Sequence, residues 1–190
     1  KRPAIIVAER TILRSAATLE LFPNHAGEGP PAGLPRRRGV RGEEGGDALR
    51  LARRLELNTS RAMPSPGERA SVGVITVGRA DRSIRRLESM LDLVGRIPSL
   101  HMGLTSPIDD AAITRLLERC QQVVVIEPRG RNMEWRTLEL AQQMHEHNGN
   151  APLIWGGRLP NGGGIDGRTH PSQLARLLHP FLQPVMGERS

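Results

Sequence analysis

The run Val123-Val124-Val125-Ile126, closed by Glu127-Pro128, decides the fold. Four successive apolar, β-branched residues leave no polar face, so the segment predicts a strand covered on both sides, as in a parallel sheet lying between helices. The residues around it agree. Ahead of it Ile113, Leu116 and Leu117 share one helical face. Beyond it Trp135, Leu138, Ala141 and Met144 or His145 form a stripe over about Glu134 to His147, and Asn148-Gly149-Asn150 stops that helix.

Further outward the same alternation repeats. Ser71-Val72-Gly73-Val74-Ile75-Thr76-Val77 reads as a strand closed by Gly78, and a helix follows with Ile84, Leu87, Leu91 and Val94 on one face. Ser99 to Leu104 is a weaker strand. Ser106-Pro107-Ile108-Asp109 reads as a helix start, with Ser106 as the cap, Pro107 at the first helical position and a carboxylate three residues after the cap. Leu153-Ile154-Trp155 is a short strand, a Gly-rich loop spans Gly156 to Gly167, and Leu174, Leu177, Leu178, Phe181 and Leu182 are spaced for a last core-facing helix. The order βαβαβαβα predicts an α/β, Rossmann-like three-layer sandwich with a mostly parallel sheet and right-handed crossovers.

The expected body covers residues 70–184, with a short tail at 185–190. Residues 23–69 read as a Gly/Pro/Arg linker carrying a short helix, with Asp47 placed to cap it and Ala48, Leu51, Ala52 and Leu55 on its buried face. Residues 1–22 contain Ala4-Ile5-Ile6-Val7-Ala8, a strand-like run. Because the chain starts without Met and runs directly into that stretch, the expectation is a piece cut from something longer.

Composition narrows the chemistry. At 190 residues a single domain can bury roughly 70% of its unfolded surface. Cys120 is alone, which excludes an internal disulfide, a four-thiolate zinc site and an iron–sulfur cluster ligated by this chain alone, and it reads as a buried structural thiol. No segment has a membrane-span or signal-peptide layout, so the expected location is cytoplasmic, with no membrane partner. The formal net charge of +7 raises a polyanion as partner, but the arginines are scattered and the chain has two Phe, two Trp and no Tyr to stack on bases, which argues against nucleic acid.

In parallel sheets ligands bind beyond the carboxyl ends of the strands, so those loops hold the candidates. Gly78-Arg79-Ala80-Asp81 opens a helix and can offer backbone N–H groups to an anion, although it lacks the G-x-G-x-x-G pattern. Gly103 and Ser106 close the next strand and complete a weak set of cofactor-binding candidates: Gly78, Arg79, Gly103 and Ser106. Glu127 and Arg129, with Trp155, are the candidates for an interdomain contact. His145-Glu146-His147 has i, i+2 spacing where a zinc pair on a helix needs i, i+4, so no metal site is expected. Asp109-Asp110 is explained by the helix N-terminus. No catalytic grouping emerges.

Three stretches carry a family resemblance: Val72-Gly73-Val74-Ile75-Thr76-Val77-Gly78, then Leu100-His101-Met102-Gly103-Leu104-Thr105-Ser106-Pro107-Ile108-Asp109, and Val123-Val124-Val125-Ile126-Glu127. Together they resemble the transketolase C-terminal-like domain of thiamine-diphosphate enzymes, and among these the 2-oxoacid:ferredoxin oxidoreductases of the indolepyruvate type. Residues 1–22 then look like the end of a preceding pyrimidine-binding domain. The sequence departs from the family at Ser106, where an aromatic residue is common, and at Glu127-Pro128, where two acidic residues are usual.

The resemblance implies a parent enzyme that oxidatively decarboxylates aryl 2-oxoacids to acyl-CoA with thiamine diphosphate, Mg²⁺ and iron–sulfur clusters, passing electrons to ferredoxin. This chain lacks the Gly-Asp-Gly…Asn motif and the cysteine clusters, so the expectation is a non-catalytic structural module, without a cofactor of its own. It would pack on other domains and subunits, with a homodimer as one form of association. Two other readings stand beside it: a domain of a transketolase or 2-oxoacid dehydrogenase relative, and a stand-alone module binding a nucleotide or CoA at the Gly78 and Gly103 loops.

Overall fold

A computed structural model describes residues 43–128, 131–160, 163–165 and 167–187. The Ala4–Ala8 run, residues 23–42 of the predicted linker and Arg129 lie outside the described residues. In chain order the elements are α1 (Glu43–Arg54), β1 (Asn58–Arg61), β2 (Gly73–Val77), α2 (Ala80–Met90), β3 (Ser99–Met102), α3 (Asp110–Glu118), β4 (Gln122–Ile126), α4 (Asn132–Asn148), β5 (Leu153–Trp155) and α5 (Pro171–Gly187).

The five strands form one sheet in the order β1-β3-β2-β4-β5. β2 pairs in parallel with β3 (Ile75 opposite Leu100) and with β4 (Val74 opposite Val124), and β5 continues the parallel run (Ile154 opposite Val123). β1 joins the far edge antiparallel to β3, Thr59 facing His101. The fold is thus α/β with a mostly parallel sheet between two helical layers, as the strand runs predict.

Alternation along the strands divides the core. Ile75, Val123 and Val125 pack with Ile113, Leu116 and Leu117 of α3 and Leu138 and Ala141 of α4. Val74, Val124 and Ile126 face the other way, onto Ile84 and Leu87 of α2 and Leu174, Leu178, Phe181 and Leu182 of α5. From β2 the chain moves outward to β3 and then crosses back over β2 to β4, so the switch in direction falls between the carboxyl ends of β2 and β4.

Four expectations are corrected. The helix expected to begin after Asp47 starts at Glu43, so Asp47 does not cap it and pairs instead with Arg50. Of its apolar stripe only Ala52 is buried; Leu51 and Leu55 are 54% and 58% exposed. Within the predicted linker, Asn58–Arg61 is a sheet strand. Finally, α3 is capped by Asp109, whose side chain accepts from the Ala112 amide, while Ser106 lies upstream of a cis Ser106–Pro107 bond.

Candidate functional site

At the carboxyl end of β2 the chain turns through Gly78, at φ +59°, into α2. That backbone region carries a Cβ penalty for other residues, which is why glycine ends this strand. Arg79 stands at the cap position of α2 and makes no side-chain cap. The first-turn amides of an α-helix have no intrahelical partner, so this end presents N–H groups and the positive end of the helix dipole.

The only acid in that turn, Asp81, is engaged elsewhere. Its Oδ1 accepts from Arg61 at 2.7 Å and its Oδ2 from Arg85 at 2.7 Å. Arg61, brought in by β1, also donates to Ser99 Oγ at 3.1 Å. Arg79 and Arg82 are exposed and have no carboxylate partner among the described residues.

Two further elements complete the surroundings. His101, at the end of β3, has its Nδ1 3.3 Å from the buried Thr76 hydroxyl. The Gly167 amide donates to the Glu127 carbonyl at 3.0 Å, which draws Gly167-Arg168 across the strand ends. The result is a cleft of ≈ 650 Å³ lined by Gly78, Arg79, Arg82, His101, Gly167 and Arg168, with Asp81 and Ser83 in its wall. A second concavity of ≈ 560 Å³, lined by Gly157, Gly164, Thr169 and Gln173 among others, shares Arg168 with it.

Across the switch point, the acids at the β4 end serve the fold. The Glu127 carboxylate accepts from the Met133 amide at 3.1 Å and the Glu134 amide at 3.0 Å, closing the N-terminus of α4. Burial pushes the Glu127 carboxyl up, and those two amide bonds oppose the shift. Glu134, 1% exposed, accepts from Arg131 through both oxygens at 2.9 Å and from the Gly157 amide at 3.1 Å. The Arg131 guanidinium lies 5.9 Å from the Trp135 ring centroid.

Of the sequence candidates, Gly78 and Arg79 meet in the cleft. Gly103 and Ser106 do not line it. The Gly103 amide donates to the Leu57 carbonyl at 2.9 Å, and a Cβ at that position would overlap the same oxygen, so its glycine is explained by close approach of the chain entering β1. Trp155, a candidate for an interdomain contact, is buried: its Nε1 donates to Gln122 Oε1 at 3.0 Å and its ring packs edge-on against Phe181 at 5.6 Å. The ring therefore fills the core and offers no contact surface. Arg129 is outside the described residues.

Sequence reasoning missed Arg82, His101 and Arg168 as cleft residues. A local signal existed for Arg82, three residues after Arg79 at a helix start that ordinarily favours acids. None existed for Arg168, which tertiary structure delivers.

The groups implied by the family resemblance can be tested against the donors present. Among the described residues no cluster of three or more His, Cys, Asp or Glu could hold a metal ion. Cys120 is solitary and buried, with its thiol pushed up to about 12 by desolvation. The described residues therefore do not fit Mg²⁺ or an iron–sulfur cluster. No described helix is long and apolar enough to cross a membrane.

No family model and no curated protein matches the chain. Among solved structures it is similar to a 2-oxoglutarate:ferredoxin oxidoreductase from Magnetococcus marinus, solved with 2-oxoglutarate, coenzyme A and succinyl-CoA bound, at 15% identity and a TM-score of 0.41. The similarity covers 87% of this chain and 30% of that protein, so the chain spans less than a third of its length.

Proposed function

We propose that this chain is a non-catalytic interdomain module of a thiamine-diphosphate-dependent 2-oxoacid:ferredoxin oxidoreductase, of the type that acts on indolepyruvate. The observation that carries the reading is where the three resembling stretches fall. They are β2, β3 and β4 with their exits, three neighbouring parallel strands at the centre of the sheet, rather than fragments dispersed over the surface. The ionisable groups at those exits support a non-catalytic role. Glu127 holds amides of α4, Glu134 holds Arg131 and the Gly157 amide, and Asp81 holds Arg61 and Arg85. A general base needs an acceptor free to take a proton from substrate, and each of these carboxylates is already an acceptor within the fold.

In this reading the thiamine diphosphate, Mg²⁺ and iron–sulfur clusters belong to other parts of the parent, and the chain contributes packing surfaces to them. The test is the full reading frame that contains this chain, purified and assayed for 2-oxoacid-dependent reduction of a viologen with CoA and thiamine diphosphate. Turnover with indolepyruvate above that with 2-oxoglutarate is the expected result. Turnover that prefers 2-oxoglutarate would overturn the substrate assignment. Background reduction with every 2-oxoacid, in a frame lacking a Gly-Asp-Gly…Asn motif and clustered cysteines, would overturn the reading altogether.

A further inference from the structure

The cleft at the ends of β2 and β3 is not explained by an interdomain role. It has a concave shape, a volume of ≈ 650 Å³, and three guanidinium groups and an imidazole along its lining. Ligand pockets for small organic molecules occupy roughly 300–1,000 Å³, so the space suits a molecule of nucleotide size.

Two of its guanidinium groups, Arg79 and Arg82, have no carboxylate partner among the described residues. Among the described residues the one acid in the wall, Asp81, is held by Arg61 and Arg85, and no other carboxylate reaches Arg79 or Arg82. Both arginines sit at the first turn of α2, where the helix dipole disfavours cations. A sequence selected only for stability would place Asp, Glu or Ser there. These side chains therefore work against the helix that carries them, and an anion in the cleft would relieve both the mutual repulsion and the dipole conflict.

The form of the charge narrows the anion further. Planar guanidinium groups recognise phosphate oxygens through paired N–H donors, and several arranged around one space match more than one phosphate. The adjoining ≈ 560 Å³ concavity, which shares Arg168 with the cleft, gives room for an organic part. We infer that this cleft binds a diphosphate ester of nucleotide size, with its phosphates between Arg79, Arg82 and Arg168.

The test uses the 190-residue chain with ADP, inorganic pyrophosphate and adenosine as probes, followed by calorimetry at low salt. ADP and pyrophosphate are expected to bind, adenosine is not, and the affinity should fall as salt rises. Arg79→Gln with Arg82→Gln is expected to weaken ADP by about tenfold or more, the loss of one charge-assisted hydrogen bond or better. The same variant should melt no lower than the parent, because it removes cations from a helix N-terminus. Arg86→Gln with Arg176→Gln, which changes the same charge at exposed positions outside the cleft, should leave binding unchanged.

Equal weakening by both pairs would overturn the site in favour of diffuse charge attraction. Pyrophosphate binding without ADP would overturn the nucleotide-sized ligand. An oligonucleotide that binds where ADP does not would turn the cleft into part of a nucleic-acid surface. No binding of ADP or pyrophosphate would end the proposal, and none of these outcomes depends on the oxidoreductase reading.

Discussion

Asp109→Ala is expected to cost about 2 kcal/mol at pH 7, through two contacts that the Asp109 carboxylate makes at once. It caps α3 by accepting from the Ala112 amide at 3.2 Å, a contribution typically of ~1 kcal/mol. It also accepts from Arg53 Nε at 3.0 Å and Nη2 at 2.8 Å, a bidentate pair that ties α1 to the body. Although Asp109 is only 3% exposed, Arg53 is 52% exposed, so water screens the pair and a contribution of about 1 kcal/mol is the appropriate scale. For a chain of this size the sum lowers Tm by roughly 4–8 °C.

Arg53→Ala should be at least as damaging, since it leaves a buried carboxylate with the Ala112 amide alone. The pH dependence shows that both variants act through the Asp109 carboxylate. Hydrogen bonding from Arg53 holds the Asp109 carboxyl below its usual range, against the burial that pushes it up. The unfolded chain therefore binds that proton more readily, so the contribution is complete above the unfolded pKa, about 3.9, and is lost as pH falls through the folded value. Urea unfolding followed by circular dichroism at pH 7 and at pH 3 measures this. Both variants should approach the parent protein at the lower pH, and amide exchange over 48–54 should quicken in Arg53→Ala. A change within about 0.5 kcal/mol at pH 7, the range of ordinary surface substitutions, would refute the reasoning.

Two further outcomes follow from the packing. Cys120, with no exposed surface and a thiol pushed up to about 12 by burial, should not react with a water-soluble disulfide reagent at pH 8 until the chain is unfolded, and then should react once; rapid labelling of the folded chain would contradict its place beneath the sheet. Gly103→Ala drives a methyl into the Leu57 carbonyl and is expected to cost about 1–3 kcal/mol, lowering Tm by roughly 2–4 °C for each, with an unchanged thermal melt as the contrary result.

The central sheet was legible because its signals are local. Val123–Ile126 has no polar face, and burial of both faces is the only environment that accepts such a run without cost. β1 was not legible, because Asn58-Thr59-Ser60-Arg61 contains no apolar residue; it is a strand because β3 offers it a backbone partner, and a polar sequence suits an edge that must not recruit other strands. The spacing of Leu51 and Leu55 predicts the helix but not their exposure, since periodicity reports the winding of a segment and not what lies against it. Ser106 and Asp109 both satisfy the composition rule for a cap. The choice between them depends on which residue lies three before an amide left free by the helix, and only the backbone path settles that in favour of Asp109 and Ala112.

The candidate site divides along the same line. Gly78 and Arg79 could be picked out because a strand, a glycine and a helix start are consecutive in the chain, whereas Arg168 reaches them from the far side of three intervening strands. Net charge was a still weaker guide. Scattered arginines at +7 look diffuse in the sequence, but folding sorts them by partner. Arg53 meets Asp109, Arg61 and Arg85 share Asp81, Arg131 meets Glu134 and Arg136 meets Asp110. Among the described residues these pairings leave Arg79 and Arg82 without a carboxylate where a strand end, the N-terminus of α2 and a concave surface coincide. A cationic site therefore arises here through which acids have been taken up elsewhere, and it would disappear if Asp81 were released to face the cleft, even with every arginine still present.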